Sequence, residues 1–325
     1  GDDTYLVNSV GDTVLEVAGG GVDHIRSSVG FNLLATPAVE NLTLTGAASL
    51  SGTGNGLDNV LTGNSGANIL SGLSGLDRLI GNAGNDTLLG GDDKDSLDGG
   101  PGDDLLDGGG DGDFMAGGPG NDVYVVDGAG PGPLGDIVDE AAGGGIDLIR
   151  SVVDFDLTTT PEVEHLTLLG SAVTGAGNGH GNIVTGNENA NIIGGGDGAD
   201  TLIGLAGGDI LTGGAGADSF VYRSVADSLP QPGPGAPTFD RIIDFTQSQS
   251  DHVNLRDVDA IADTAANDAF TFIATAPFDS VAGQLRFAFT PVGTQVEGDV
   301  DGNGSADFLI AFDGRVTFAA GDFVL

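Results

Sequence analysis

The chain has 325 residues, 48 of them acidic and 9 basic, for a formal charge of −39; 60 are Gly, none is Cys and 39% are apolar. So acidic a chain excludes charge-driven binding to nucleic acid or to an anionic membrane surface, and with no apolar run of about 20 residues no membrane insertion is expected. The apolar share is too high for a plain disordered acidic tail, so folding conditional on a metal is expected instead.

Residues 1–53 read as an irregular β-solenoid lead-in. Gly1-Asp-Asp-Thr-Tyr-Leu-Val7 matches Gly120-Asn-Asp-Val-Tyr-Val-Val126, the tail of a repeat unit described below. The chain is therefore expected to begin inside a coil, as the C-terminal part of a longer protein. No N-terminal signal peptide is expected within these residues, the first of which is not read as the native start. Val39, Leu42 and Leu44 predict a short strand. Asp23, His24 and Arg26 invite a catalytic reading, but His24 is replaced by Leu148 in a second copy of the segment. Arg26 and Arg150 are expected to neutralise nearby acids instead.

Residues 54–126 are a periodic array. Eight nine-residue units run in register from Gly54 to Val125, the cleanest being Gly81-Asn-Ala-Gly-Asn-Asp-Thr-Leu-Leu89 and Gly99-Gly-Pro-Gly-Asp-Asp-Leu-Leu-Asp107. Every unit begins with Gly, has Asp or Asn sixth, and an apolar residue eighth. A Gly-rich stretch must turn sharply. The remaining three residues form a short strand whose middle residue points inward. Two units then make one coil of a flattened solenoid, and units i and i+2 stack about 4.8 Å apart.

Stacking lines up Asp77, Asp95 and Asp113 on one edge and Asp86, Asp104 and Asp122 on the other. Two carboxylates about 5 Å apart repel by about 3 kcal/mol at an effective dielectric near 20. Repeated along an edge, that rivals a domain's net stability of about 5–15 kcal/mol. A hard cation between the turns reverses the sign. Calcium suits carboxylate and carbonyl oxygens in flexible geometry, whereas magnesium demands a tighter octahedron. Zinc is disfavoured, with no Cys and four scattered His. Asn59 and Asn68 lead this array. They offer oxygen without charge, and are expected either to bind calcium weakly or to hold the turn by side-chain hydrogen bonds. Asp93 and Asp111 stand where Gly is usual, so calcium geometry is least regular there.

Residues 127–176 are a second lead-in. Gly19-Gly-Gly-Val-Asp-His-Ile-Arg-Ser27 recurs as Gly143-Gly-Gly-Ile-Asp-Leu-Ile-Arg-Ser151, and Pro37-Ala-Val-Glu-Asn-Leu-Thr-Leu-Thr-Gly46 as Pro161-Glu-Val-Glu-His-Leu-Thr-Leu-Leu-Gly170. Val163, Leu166 and Leu168 then predict the equivalent strand. A unit of about 120 residues repeated in tandem suits a module that stacks end to end. Five further units, residues 177–222, place Asn182 and Asn191 and then Asp200, Asp209 and Asp218 at the sixth position.

Residues 223–325 change character. A Pro- and Gly-rich loop, Ser228 to Thr238, precedes strand-like runs at 239–245, 270–274, 284–289, 307–312 and 315–319. These predict a β-rich cap over the end of the solenoid. The run Asp299-Val-Asp-Gly-Asn-Gly-Ser-Ala-Asp307 resembles a calcium loop, but Ile310 stands where an EF-hand needs Glu. A polar hairpin tip is the simpler reading. No H-E-x-x-H, G-x-S-x-G or phosphate loop is present. No enzyme activity is expected of these residues, and any catalytic domain would lie upstream.

The nonapeptides closely resemble the G-G-x-G-x-D-x-U-x repeat of RTX proteins. The C-terminal segments Asp240-Arg-Ile-Ile-Asp-Phe245, Asp251-His-Val-Asn-Leu255, Ala282-Gly-Gln-Leu-Arg286 and Asp322-Phe-Val-Leu325 resemble the C-terminal region of serralysin-type proteins. The resemblance implies an all-β fold: a parallel β-roll or β-helix solenoid with a β-rich C-terminal cap. It implies several bound Ca2+ ions, bacterial secretion and an uncleaved C-terminal signal read by a type I secretion apparatus. The favoured expectation is a calcium-folded, non-catalytic carrier and stabilising module. A tandem module of an adhesin or surface-layer protein, able to self-associate end to end, is the second. An accessory substrate-binding module of a secreted protease or polysaccharide-modifying enzyme is the third.

Overall fold

Three-residue strands recur every nine residues because each apolar eighth position has only one place to go. In the computed structural model, which describes residues 1–128, 135–230, 238–262 and 266–325, the chain forms two compact units, Gly1–Val153 and Asp154–Leu325. Each is an all-β parallel solenoid.

In the first unit, the strands Val60–Thr62, Arg78–Ile80, Ser96–Asp98 and Phe114–Ala116 stack in parallel, with Leu61, Leu79, Leu97 and Met115 in register. The alternate units form the opposite wall, where Leu70, Leu88, Leu106 and Tyr124 are in register. All eight of these side chains are fully buried. The lead-in continues the same walls with longer coils. Thr4–Val7, His24–Ser27 and Asn41–Leu44 precede Val60–Thr62 on one wall, and Phe31–Asn32 and Ser51–Thr53 precede Ile69–Ser74 on the other. The expected strand at Val39 starts two residues later: Val39 is buried, but in the turn before Asn41–Leu44. Arg26 and Arg150 are exposed, and among the described residues neither forms the ion pair expected of it.

The second unit repeats the pattern. Leu166, Val184, Leu202, Phe220 and Val253 stack on one wall, and Gly175, Ile193, Leu211 and Ile242 on the other. The lead-ins match in detail. Asn32 Oδ1 accepts the Leu34 amide at 2.8 Å, and Asp156 Oδ1 accepts the Thr158 amide at 2.9 Å, each capping a short 3-10 turn.

The cap is a continuation of one wall. Asp240–Ile242 pairs in parallel with Phe308–Asp313, which turns antiparallel to Gly293–Asp299 and then to Gln284–Phe289. The strand Gly293–Asp299 was masked in the sequence by its polar alternation. Residues 315–319 were expected as a strand but form none. Their apolar content is a single anchor: Phe318 is buried among Phe245, Phe312, Phe287 and Phe323, with ring centroids 4.8–5.9 Å away. Most of the expected loop from Ser228 to Thr238 lies outside the described residues.

The stacked core sets a measurable cost. Leu97→Ala, at a fully buried position, is expected to lower the unfolding free energy of the calcium-loaded chain by about 2–5 kcal/mol. Ser96→Ala, one residue away on the outer face, should stay within about 0.5 kcal/mol. Urea denaturation distinguishes the two.

Candidate metal-binding ladders

Each turn positions its sixth residue against the next coil. The Asp77 amide donates to Asp95 Oδ1 at 2.8 Å, the Asp95 amide to Asp113 Oδ1 at 2.8 Å, and the Asp113 amide to Asp136 Oδ1 at 3.1 Å. The opposite edge repeats this through Asp86, Asp104, Asp122 and Asp147 at 2.6–2.8 Å. In the second unit, Asp200 donates to Asp218 and Asp218 to Asp251, while Asp209 donates to Asp240. One oxygen of each carboxylate is thus committed to the backbone.

The other oxygen is not. Oδ2 of Asp77, Asp86, Asp95, Asp104, Asp113, Asp122, Asp200, Asp209 and Asp218 is buried with no hydrogen-bond partner among the described residues. These atoms face the first glycine of their own unit. A methyl carbon on Gly81 would overlap Asp86 Oδ2 and the Gly99 carbonyl, and one on Gly90 would overlap Asp95 Oδ2 and the Gly108 carbonyl. First-position glycine is therefore needed for space. Carboxylate and carbonyl oxygens converge there, the donor set of a hard cation such as calcium.

In the Asp units the fourth position instead takes a left-handed backbone. Gly84, Gly102 and Gly120 have φ of 124°, 146° and 150°, and Asp93 and Asp111 keep φ of 74° and 72°. Asp tolerates this region better than most residues, so the two departures from Gly preserve the turn. Leu73 and Leu205 adopt it too, at the second position, with φ of 87° and 67°.

Burial raises the ladder carboxylates. Asp95, Asp104, Asp113 and Asp122 are pushed up to about 7 and Asp77 and Asp200 to about 6, by loss of solvent first. The accepted amide bond partly opposes this, and neighbouring carboxylates reinforce it. Asp209 reaches about 7, while Asp86 and Asp218 rise for the same primary reason.

The Asn positions differ. Asn59 Oδ1 accepts the Asn55 amide at 2.7 Å, and its Nδ2 donates to the Glu40 carbonyl at 3.1 Å. Asn68 pairs likewise with Asn64, Asn182 with Asn178, and Asn191 with Asn187. Of the two expected roles, holding the turn is the one this geometry displays. The second-position Asn was missed in the sequence, although Gly-Asn-x-x-x-Asn recurs in all four leading units.

The ladder ends were also missed. Asp136, Asp147, Asp240 and Asp251 fall outside the nine-residue register but keep Asp-x-apolar, as does Asp23, whose Oδ1 accepts the Asp3 amide at 2.8 Å. Asp136 and Asp251 have donors on both oxygens: besides the ladder amide on Oδ1, Asp136 Oδ2 accepts the Asp127 and Gly128 amides and Asp251 Oδ2 the Thr246 amide. Asp240 is buried beside Tyr222 and raised well above the usual range, by desolvation and then Asp209. In the 299–307 loop, Asp299 accepts the Gly302 and Gly304 amides and Asp307 the Val300 amide, at 2.8–2.9 Å. This is a hydrogen-bonded hairpin tip, although Asp299, Asp301 and Asp307 also lie close enough together to hold an ion. His24 Nε2 contacts Thr43 Oγ1 at 2.9 Å, a structural role.

A parallel β-solenoid whose turns bury rows of half-satisfied carboxylates defines an acidic repeat module of the β-roll class. The chain belongs to the Peptidase M10 serralysin C-terminal family, which matches residues 46–325. That region is a non-catalytic repeat region in its family. No curated protein matches the chain.

The raised carboxylates stabilise the metal-free fold fully below their unfolded value of about 4, and this is lost as pH rises through about 6–7. In chelator, the thermal midpoint should therefore fall between pH 5 and pH 8; a flat or rising midpoint would contradict the burial argument. Gly81→Ala should destabilise the calcium-loaded chain by about 1–3 kcal/mol. Gly56→Ala, with nothing within 4 Å of the new carbon, should be near neutral by the same denaturation assay.

Proposed function

We propose that this chain is a calcium-folded carrier and stabilising module of a secreted bacterial protein, exported by a type I apparatus. The observation that carries the reading is the row of buried, partnerless Oδ2 atoms. Asp77, Asp95 and Asp113 on one edge, Asp86, Asp104 and Asp122 on the other, and Asp200, Asp209 and Asp218 in the second unit would hold the ions, with first-position glycine carbonyls completing the oxygen set. Bound calcium supplies the positive charge that these buried carboxylates lack. Asn59, Asn68, Asn182 and Asn191 close the leading turns through their own amides.

The direction of folding follows from the charge. With calcium scarce inside the cell, a chain of formal charge −39 resists compaction and stays threadable. In extracellular calcium the carboxylates are neutralised and the solenoid closes, which hinders backsliding. The last residues, Asp322-Phe-Val-Leu325, fit the expected export signal. Among the described residues no helix is long and apolar enough to cross a membrane. The duplicated lead-ins also suit a place in a longer tandem array at the cell surface.

The test is a calcium titration followed by circular dichroism, with magnesium as control. A cooperative gain of β structure between micromolar and millimolar calcium, unmatched by magnesium, is expected. Full β content in exhaustive chelation would remove the physical basis of the carrier mechanism.

A further inference from the structure

The lead-in coils carry a second arrangement of acids, built twice. Asp122, Glu140 and Asp147 each offer an oxygen within 4.8 Å of the others, and so do Asp3, Glu16 and Asp23. The two clusters correspond through the tandem duplication, Glu16 with Glu140 and Asp23 with Asp147. In each, a tyrosine hydroxyl donates to the glutamate: Tyr5 to Glu16 and Tyr124 to Glu140. The second glutamate oxygen accepts the next backbone amide, from Val17 or Ala141, at 2.8 Å. The glutamates are thus held in place, facing other carboxylates.

A hydrogen-bonded network does not explain the arrangement. Asp23 and Asp122 are fully buried, yet Oδ2 of each has no partner among the described residues. At Gly117, a methyl carbon would meet both Asp122 Oδ2 and the Tyr124 hydroxyl. In the preceding turn, the methyl carbon on Gly99 meets Asp104 Oδ2 and the Gly117 carbonyl instead. The hydroxyl, tied to Glu140, thus stands where the regular turn offers a carbonyl. Of the six acids, Asp3 has the Gly1 ammonium 4.0 Å away.

We propose that each acid–tyrosine cluster is a further calcium site, made by a lead-in glutamate closing over the aspartates where the nine-residue repeat is interrupted. Three carboxylate oxygens within 4.8 Å of one another suit a hard divalent cation, and calcium, which accepts irregular oxygen geometry, fits an unevenly built cluster better than magnesium with its strict octahedron. Asp122 and Asp147 or Asp3 and Asp23 supply the aspartate ligands, and Tyr124 or Tyr5 positions the glutamate. The inference shares with the proposed function the identity of the ion and one residue, Asp122, the last aspartate of its ladder within the array.

The test counts ions on the calcium-loaded full chain by native mass spectrometry, and reads terbium emission excited through tyrosine in a Tyr222→Phe background, so that only Tyr5 and Tyr124 sensitise it. Glu16→Gln and Glu140→Gln should each remove one calcium, and the double variant should lose most of the sensitised emission. An unchanged ion count and unchanged emission in the folded double variant would overturn the proposal while leaving the ladders intact. Asp77→Asn with Asp95→Asn should instead reduce the ion count and spare the emission; if those variants lose no ion, the ladder reading fails separately. Should Glu140→Gln not fold, Glu16→Gln alone decides, since Glu16 is half-exposed and lies outside the array.

Discussion

The structure depends on a backbone amide of one coil donating to a carboxylate of the next. That bond registers the coils, and it also buries the carboxylate. Each ladder aspartate gains one charge-assisted hydrogen bond and loses solvent at its other oxygen. Buried ion penalties are large unless a partner of opposite charge is present. Only nine basic residues exist in the whole chain, against 48 acidic ones. The compensation must come from outside the chain or from protons, and the raised pKa values of these groups express the same deficit.

The interior and the edges solve different problems. The stacked eighth positions remove apolar surface from water without regard to charge. The turns satisfy the backbone but leave charge in excess. Where the sixth residue is Asn, the amide brings its own donors, as Asn59 does towards Glu40 and Asn55. Those leading coils close their turns with side-chain hydrogen bonds of their own. The electrostatic demand begins at Asp77, Asp86, Asp200 and Asp209, where Asp replaces Asn in otherwise similar turns.

Much of this was legible in the sequence. The nine-residue period fixed the walls, the inward eighth residue and the stacking of alternate units, because one apolar position per three-residue strand leaves a single orientation. The ladder edges were legible for the same reason. The bonding of each carboxylate to the neighbouring amide was not, since it depends on the offset between coils. The ladder ends escape the pattern because Asp136, Asp147, Asp240 and Asp251 keep Asp-x-apolar outside the nine-residue register. In the cap, pattern identified the strands at 284–289 and 307–312. It overestimated 315–319, where one buried phenylalanine gave a strand-like run a purely packing role.

Glycine turn and aspartate ladder are therefore separable. Any coil can accept the previous amide if it places a carboxylate before an inward apolar residue, and this meets the obligation of a buried N–H. Glycine at the first position is required only where Oδ2 turns back into its own turn. Asp136 and Asp251 show the other outcome: freed from the tight turn, their second oxygens find amide donors. Asp122 lies between these cases. Its turn is regular, but the next coil is a lead-in, so a tyrosine and a glutamate replace the carbonyl that glycine would have offered. The sequence thus changes from one oxygen set to another at the point where the repeat stops, without interrupting the ladder.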